Sequence, residues 1–374
     1  MRWDIFCKVI DNFGDAGVAW RLARQLQAEQ GADVRLIIDD MATLARLDRR
    51  VRPDAEAQTV DGITVMRWGR PLGAVADVVV ETFACEAPPQ YVEAMAERSP
   101  APPWINLEYL SAEDWVGRCH RLPSPHPRHL LTRHFFFPGF GPETGGLLRE
   151  RGLLAARDAF QGASAVRDRF WQDLALPSPA AEEQVVTLFG YDTVQVHDLF
   201  DAWSASKHPV RCLIPDHTPL AARAAHHVRR PAGENRATLG ALTLAWIPFR
   251  DQVDYDPLLW AADFNFVRGE DSFVRAQWAA RPMAWHIYPQ PGDAHRIKLE
   301  AFLEKYLAGL EPPVAQRVHD LFLAWNGEGH LGEAWNALSG DWSLWAAHAA
   351  TWAGQLAAGP DLVSNLADFV DKLL

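Results

Sequence analysis

The chain has 374 residues, of which 48% are hydrophobic and 22% charged, and its formal net charge is −12. This length is typical of two domains, and the acidic balance argues against a nucleic-acid or anionic-membrane surface. The four cysteines are scattered without a CxxC pair, which indicates neither a zinc site nor a disulfide framework. Because neither a signal-peptide pattern nor an apolar run of about 18 residues occurs, we expect a cytoplasmic protein.

The first half of the chain alternates short apolar runs with amphipathic helical patterns. "WDIFCKVI" predicts a strand, and "AGVAWRLARQLQAEQG" predicts a helix that ends at Gly31. "DVRLIID", "ADVVVETF" and "PWINLEYL" predict further strands, and their spacing favours βαβ units around a parallel sheet. The stretch from 121 to 148 is rich in proline, glycine and aromatic residues, which predicts a long ordered loop.

A second alternating series begins near Gln184, after "LALPSPAAEE", which we interpret as a linker. "VVTLFGY", "VRCLIPD", "LTLAWIPF", "ADFNFVRGEDS" and "PMAWHIYPQ" predict strands, and "DLVSNLADFVDKLL" predicts a C-terminal amphipathic helix. Two successive α/β halves predict a doubly wound, two-domain architecture. In such folds ligands bind at the carboxyl ends of the strands.

Two carboxylates and a glycine follow the first predicted strand, in "DNFGD" from Asp11 to Asp15. One interpretation is structural, with Asp15 capping the helix and Asp11 forming the turn. The other is catalytic, because a carboxylate on a strand-to-helix turn facing a cleft is well placed as a general base. The residues alone leave both interpretations open.

A second turn, "RGEDS" from Arg268 to Ser272, joins a predicted strand to the helical pattern "FVRAQWAA". Asp271 or Ser272 is expected to be the helix N-cap. Free amides at the helix start, with Gly269 allowing close approach and Arg268 donating two bonds, suit a diphosphate. The alternative is that Glu270 and Asp271 merely favour the helix dipole.

Three further positions follow predicted strands of the second half. Tyr191 is placed to reach a phosphate or a sugar hydroxyl, Phe249 to stack on a base and Gln252 to donate a hydrogen bond. Loop packing is the alternative for each of them.

Histidines near the middle of the chain do not have the spacing of a metal site. His126, His129 and His134 lie in a proline-rich stretch without helical i, i+4 spacing, which favours solvated or structural roles. The absence of Walker, GxGxxG and GxSxG motifs removes the signatures of P-loop hydrolysis, Rossmann hydride transfer and α/β-hydrolase chemistry.

Four long blocks occur in a fixed order: "IFCKVIDNFGDAGVAWRLARQL", "WINLEYLSAEDWV", "FFFPGFGPETGGLLRE" and "NFVRGEDSFVRAQWA" with the following "PMAWHIYPQ". Together they resemble the EarP family, the bacterial protein-arginine rhamnosyltransferases that mature elongation factor P, from residue 3 to the C-terminal helix. The resemblance implies an α/β, GT-B glycosyltransferase fold of two Rossmann-like domains facing a cleft. We place these domains at 1–178 and 179–357, with the C-terminal helix 358–374 joined to the first.

The resemblance also implies a reaction. L-rhamnose moves from dTDP-β-L-rhamnose to an arginine side chain of elongation factor P, with inversion at the anomeric carbon, and the modified factor supports polyproline translation. The family's chemistry needs neither a metal nor another cofactor.

Residue by residue, the resemblance implies a general-base role for Asp15, with Asp11 beside it, and a role in turnover for Glu270. The positions expected to bind substrate are Asn12, Phe13, Gly14, Phe189, Tyr191, Phe249, Gln252, Arg268, Gly269, Asp271, Ser272 and Tyr288. Gly190 departs from the pattern, since a larger residue is expected there.

The implied partners are elongation factor P and dTDP-rhamnose, with no nucleic acid and no membrane. The acceptor protein is expected to contact the rim near Asp11 to Asp15 and the proline-rich stretch, where "RHLLTRH" is the basic candidate. Two other functions stay open: a nucleotide-sugar glycosyltransferase acting on a small molecule or lipid, and a non-catalytic nucleotide-sugar-binding protein.

Overall fold

The structure, a computed structural model, describes residues 1–11 and 13–374 and divides into two compact units. The first unit contains residues 1–151 and 356–374, and the second contains residues 152–355. Each unit is built around its own, mainly parallel sheet, which confirms the predicted α/β class.

The described residues of the first unit form an eight-stranded sheet flanked by helices. Its strands are β1 (Arg2–Cys7), β2 (Asp33–Ile38), β3 (Ala57–Val60), β4 (Ile63–Arg67), β5 (Val78–Thr82), β6 (Trp104–Leu107), β7 (Pro123–Pro125) and β8 (Thr132–Phe136). The helices before the second unit are α1 (Phe13–Gln30), α2 (Met41–Leu47), α3 (Pro89–Ala96) and α4 (Trp115–Cys119).

The strand order in this sheet is β3-β4-β2-β1-β5-β6-β8-β7. β1 pairs in parallel with β2 on one side and with β5 on the other, so the order of the strands reverses at β1. In open α/β sheets ligands bind at this kind of reversal, beyond the carboxyl ends of the strands. The turn that begins after β1 is therefore where a site is expected, and it carries Asp11 and Asp15.

The prediction of a continuous loop over residues 121–148 is wrong in part. β8 lies within that range and pairs in parallel with β6, and β7 pairs antiparallel with β8 at the sheet edge. The prolines of β7 hid this hairpin, but an edge strand tolerates residues that lack an N–H group. Residues 137–148 are irregular, as predicted.

The described residues of the second unit form a six-stranded sheet in the order β11-β12-β10-β9-β13-β14. Its strands are β9 (Gln184–Leu188), β10 (Val210–Pro215), β11 (Arg236–Leu239), β12 (Leu242–Ile247), β13 (Phe264–Arg268) and β14 (Met283–His286). Its helices are α5 (Leu153–Gly162), α6 (Ser164–Asp173), α7 (His197–Ser204), α8 (Pro219–Val228), α9 (Gln252–Ala261), α10 (Asp271–Ala279), α11 (Ala294–Tyr306), α12 (Pro312–Trp325), α13 (Leu331–Ala337) and α14 (Trp342–Ala357).

β9 takes the same place in the second sheet as β1 in the first. It pairs in parallel with β10 on one side and with β13 on the other. The segments after β9 and β13 therefore start at the carboxyl side of a second strand-order reversal. They carry Tyr191 and the "RGEDS" turn.

After α14 the chain returns to the first unit and forms the C-terminal helix α15 (Leu362–Asp371). Asp361 caps this helix by accepting bonds from the amides of Val363 and Ser364, at 2.9 and 3.1 Å. Gln25 of α1 donates to the same carboxylate at 2.9 Å. Apolar residues of α15, such as Leu366, complete the core beside α1.

The boundary between the units lies after Arg151, not at 178–179 as placed from the sequence. Helix α5 packs against α9 and α10, so residues 152–178 group with the second unit. The proline-rich "LALPSPAAEE" segment is thus a connection inside the second unit. None of the helices in the described part of the chain has the length and apolarity needed to cross a membrane.

Candidate active site

Helix α1 begins at Phe13, inside the predicted five-residue turn, so Asp15 is its third residue. Oδ2 of Asp15 accepts hydrogen bonds from the backbone amides of Ile10 and Asp11, at 2.7 and 2.9 Å. This is the backward reach of an acidic side chain in a helix's first turn, which satisfies amides preceding the helix. The turn after β1 is therefore held by the carboxylate itself.

Asp15 is buried, with 1% of the residue's surface exposed. Burial is the main cause that raises the pKa of Asp15, and the charge of Asp39 raises it further. The two amide bonds and a hydrogen bond with the side chain of Tyr109 act in the opposite direction. A carboxylate with a raised pKa is a stronger base than an exposed one, which suits proton acceptance.

Asp11, Phe13 and Gly14 precede Asp15 in the chain and are partly buried. The amide of Gly14 donates to the carbonyl oxygen of Asp11 at 2.7 Å. A Cβ atom on Gly14 would lie 2.8 Å from Oδ2 of Asp11, so the close approach of the Asp11 carboxylate requires glycine. The Phe13 ring lies 4.9 Å from the guanidinium of Arg46. Asn12, the fourth predicted residue here, lies outside the described residues.

Sequence reasoning missed two aromatic residues beside this turn. Tyr109, just after β6, stacks on Phe83, just after β5, with ring centroids 4.3 Å apart. Phe83 and Ala84 have φ angles of 57° and 53°. This is the left-handed backbone region, which residues other than glycine rarely adopt. The amide of Ala84 donates to Oδ1 of Asn106 at 3.1 Å. Only the strand order, which places β5 beside β1 and β6 beside β5, could have indicated them.

In the second unit, Tyr191, Arg268 and Tyr288 come together. The Arg268 guanidinium lies 5.0 Å from the centroid of the Tyr191 ring. The Tyr288 ring lies 5.6 Å from the same ring and is 39% exposed. β9 and β13 are neighbours, which brings their carboxyl-terminal residues together although almost eighty positions separate them in the sequence. These three predicted residues form one cluster.

His286, the last residue of β14, supports this cluster and was not predicted. Its Nδ1 accepts a hydrogen bond from the amide of Tyr191 at 3.2 Å. Burial, and next the charge of Arg268, lower the pKa of His286 to about 4. The imidazole is therefore neutral near pH 7, and it fixes the backbone of Tyr191 without adding a charge.

The "RGEDS" turn differs from its predicted capping. The N-cap position of α10 is Glu270, whose side chain makes no capping bond, and Asp271 is the first helical residue. The expectation that Asp271 or Ser272 is the N-cap is therefore wrong. Gly269 has a φ of +61°, which explains the need for glycine.

Asp271 is instead paired with Gln252, whose Nε2 donates to Oδ2 of Asp271 at 3.0 Å. Both residues are buried, 9% and 2% exposed respectively. The carboxylate of Asp271 is thus occupied by a side chain of α9, which the sequence spacing did not indicate. Gln252 and Asp271, predicted separately, form one contact.

Phe189 and Phe249 follow β9 and β12 of the second sheet. Phe189 packs edge-to-face on Tyr255, with ring centroids 5.2 Å apart, and Phe249 is 38% exposed in the loop before α9. A Cβ on Gly190 would lie 3.1 Å from the Trp325 ring. Trp325 therefore takes up the space that a larger residue at position 190 would need.

In the part of the chain that the structure describes, histidine, cysteine, aspartate and glutamate do not form groups of three or more suited to a metal ion. Nδ1 of His126 accepts bonds from the amides of Arg128 and His129, at 3.3 and 3.2 Å. His134 lies against Phe369, with ring centroids 5.5 Å apart. These histidines organise the β7–β8 hairpin and its packing.

The family model described as the elongation-factor P (EF-P) rhamnosyltransferase EarP matches residues 3–371. The chain belongs to the EarP family. A protein-arginine rhamnosyltransferase of Pseudomonas aeruginosa is 45% identical over 370 residues, which cover 98% of each chain. The predicted family and the prediction of a glycosyltransferase are thereby confirmed.

Solved structures agree with this family and with the GT-B fold. A structure explaining EarP-mediated arginine glycosylation of translation elongation factor EF-P has a TM-score of 0.71 at 35% identity, covering 100% of this chain and 99% of that one. The spinosyn rhamnosyltransferase SpnG has a TM-score of 0.51 at 13% identity, covering 100% of both chains. The second likeness concerns the fold alone.

Proposed function

We propose that this chain transfers L-rhamnose from dTDP-β-L-rhamnose to an arginine side chain of elongation factor P, with inversion at the anomeric carbon. Membership of the EarP family supports the reaction class. The observation that carries the residue-level proposal is the buried carboxylate of Asp15, held on two backbone amides at a strand-order reversal. A general base belongs at such a position.

The chemistry explains why a base is needed. The guanidinium of arginine has a pKa above about 12, so a neutral nucleophile is scarce at pH 7. A nearby carboxylate stabilises the cation and does not produce a free base beforehand. Proton loss must therefore accompany bond formation, when the attacking nitrogen becomes acidic.

In the proposed step, a terminal arginine nitrogen attacks the anomeric carbon of rhamnose from the face opposite the diphosphate. The new N–C bond forms as the C–O bond to dTDP breaks, and the electron pair of that bond leaves with the diphosphate. The proton of the attacking nitrogen moves to Asp15, and the rhamnosyl guanidinium keeps its positive charge. Attack opposite the leaving group gives inversion.

Asp11 and Asp15 take different parts in this step because their environments differ. Asp15 is buried and has a raised pKa, which favours proton acceptance. Asp11 is partly buried and lies directly over Gly14, where it is suited to hold the rest of the guanidinium or to orient Asp15. Phe13 and Gly14, and Asn12 by sequence, would line the sugar.

Residues of the second unit would hold the donor. Arg268 would bind the diphosphate oxygens, together with Ser272 in the first turn of α10 and the glycine turn at Gly269. Its charge would oppose the negative charge that grows on the leaving group. The carboxylate of Asp271 would repel a phosphate. Gln252 donates a hydrogen bond to it, which reduces this repulsion.

The remaining donor contacts come from aromatic residues and from Glu270. Tyr191 and Tyr288 would contact the phosphate or sugar, while Phe249 and Phe189 would surround the thymine base. Glu270 would contribute to turnover. We propose that no metal takes part, since cationic and amide donors suffice to stabilise the leaving diphosphate.

The acceptor protein would dock on the β7–β8 hairpin. Residues 115–142 contain four arginines and four histidines but no aspartate or glutamate, although the whole chain carries a net charge of −12. Leu130, between the two strands, is fully exposed. A basic rim with an apolar tip suits an acidic protein partner, whose docking the overall charge would otherwise oppose.

The decisive experiment is incubation of the purified protein with dTDP-β-L-rhamnose and elongation factor P, followed by mass spectrometry. One deoxyhexose on one arginine is expected, and the anomeric configuration is read by NMR. Asp15→Asn should nearly abolish transfer while leaving dTDP affinity largely intact. Full activity in that variant would remove Asp15 from the mechanism.

Two controls distinguish the other functions. Transfer that persists in excess EDTA is expected, and its loss would contradict the metal-free proposal. Binding of dTDP-rhamnose without modification of elongation factor P would instead indicate a small-molecule acceptor or a non-catalytic binding protein.

A further inference from the structure

Helices α9 and α10 of the second unit are joined by polar contacts at two successive turns. Gln252 and Asp271, the first residues of the two helices, form the first contact, at 3.0 Å. The second contact lies four residues further along each helix, between Asp256 of α9 and Arg275 of α10. Nε and Nη2 of Arg275 donate to Oδ1 and Oδ2 of Asp256, at 2.8 and 2.5 Å. Residues four apart share one helix face, so the two contacts form a two-rung ladder between the same faces.

The second rung is a buried ion pair. Arg275 is 1% exposed and Asp256 7% exposed. Two parallel bonds between a guanidinium and a carboxylate fix both groups in one plane, which a single hydrogen bond does not. The Asp256–Arg275 rung is therefore the stiffer of the two, and it lies one helical turn behind Gln252 and Asp271.

Stability alone does not explain a charged pair at this place. Well-packed apolar residues of similar volume often replace a buried ion pair without loss of stability. The effect on geometry is more specific. The two parallel bonds between Arg275 and Asp256 constrain the distance and the relative rotation of the first turns of α9 and α10. Those turns carry Gln252 and Asp271, and Glu270 comes immediately before α10.

The backbone of α9 makes this side-chain link more important. Pro257 lies inside α9, directly after Asp256. Proline has no N–H group, so the carbonyl of Val253 receives no helical bond from position 257. The first turn of α9, which holds Gln252, is thus tied less firmly by its own backbone.

We propose that Asp256 and Arg275 are positioning residues that hold Gln252 and Asp271 in the geometry required by the dTDP part of the donor. This inference rests on the proposed function, and it adds two residues that do not themselves touch the donor.

The test removes both charges together, in the double variant Asp256→Leu/Arg275→Met, so that no unpaired charge is left buried. The matched control is Glu183→Leu/Arg211→Met. Arg211 and Glu183 form a similar fork in the same unit, with bonds of 2.9 and 2.7 Å, and Arg211 is 7% exposed. This control pair lies at the amino ends of β9 and β10, the strand ends opposite Tyr191.

We expect the Asp256→Leu/Arg275→Met variant to raise the Kd for dTDP and the KM for dTDP-rhamnose by on the order of tenfold to a hundredfold. Its melting temperature and its KM for elongation factor P should stay near wild type. The control variant should keep the wild-type Kd. Arg275→Lys keeps the charge and loses the fork, so it should raise the dTDP Kd by a smaller factor.

A purely structural role would lower the amount of active enzyme, and so kcat, without changing the dTDP Kd. An unchanged Kd in the folded double variant, or an equal rise in the control, overturns the proposal. If the double variant does not fold, Arg275→Lys decides, and an unchanged Kd in it overturns the proposal as well. Wild-type protein that binds dTDP but transfers no rhamnose refutes the proposed function, yet the dTDP titrations still test the ladder.

Discussion

Gly14→Ala is expected to separate stability from activity at the turn after β1. Gly14 is the second residue of α1, and alanine in a helix is favoured over glycine by about 0.5–1 kcal/mol. The added Cβ would lie 2.8 Å from Oδ2 of Asp11, whereas ordinary contact begins at 3.4 Å. The Asp11 carboxylate must therefore withdraw by about 0.6 Å, and since it is a partly buried side chain it can rotate away at little cost.

The consequence for catalysis is larger than the consequence for folding. A misplacement approaching 1 Å at a reacting centre can lower a rate by on the order of a hundredfold, so we expect Gly14→Ala to lose about ten- to a hundredfold in kcat. Its melting temperature should equal or slightly exceed that of wild type. Thermal denaturation and mass spectrometry of modified elongation factor P measure the two quantities.

Gly354→Ala is the matched control, because Gly354 is an exposed helical glycine in α14 with no atom within 4 Å of an added Cβ. It should gain similar stability and keep full activity. Wild-type kcat in Gly14→Ala would show that the position of Asp11 does not matter for transfer, and the proposed role of that carboxylate would have to be abandoned.

Three further outcomes are expected. Burial raises the pKa of Asp15, so the folded state holds its proton more tightly and stability falls as pH rises from the ordinary value of 3.8 through the raised pKa; Asp15→Asn should therefore melt no lower than wild type at pH 8. The pKa of His286 is lowered from 6.5 to about 4, so its contribution is present above pH 6.5 and is lost as pH falls toward 4, an effect of about 3 kcal/mol. Melting curves between pH 7 and pH 4.5 should thus fall less steeply for His286→Gln than for wild type, and equal slopes would contradict the neutral buried imidazole. Leu130→Ser should raise the KM for elongation factor P severalfold and leave the donor KM unchanged, while Leu239→Ser, at an exposed leucine of the second unit, should change neither.

Most strands, and the helices α1, α10 and α15, could be predicted because their signals are local. "WDIFCKVI" and "VVTLFGY" are apolar runs of strand length, and Gly31, with a φ of +63°, ends α1 where the sequence indicates. The hairpin strands β3, β4, β7 and β8 escaped prediction because they are only three to five residues long, and two of the three residues of β7 are prolines. The boundary after Arg151 escaped because it depends on which helices α5 packs against.

For the candidate site, too, some features follow from the local sequence and others only from the tertiary structure. The sequence determined where the acidic and glycine turns lie, since a strand followed by a helix places them at a carboxyl end, and it determined the family through long ordered blocks of residues. Only the tertiary structure decided that Asp15 is buried on two amides, that Tyr109 and His286 support the two turns, and that Asp256 pairs with Arg275. Those contacts join residues far apart in the chain, and their energies depend on strand order and burial, which no local stretch of sequence contains.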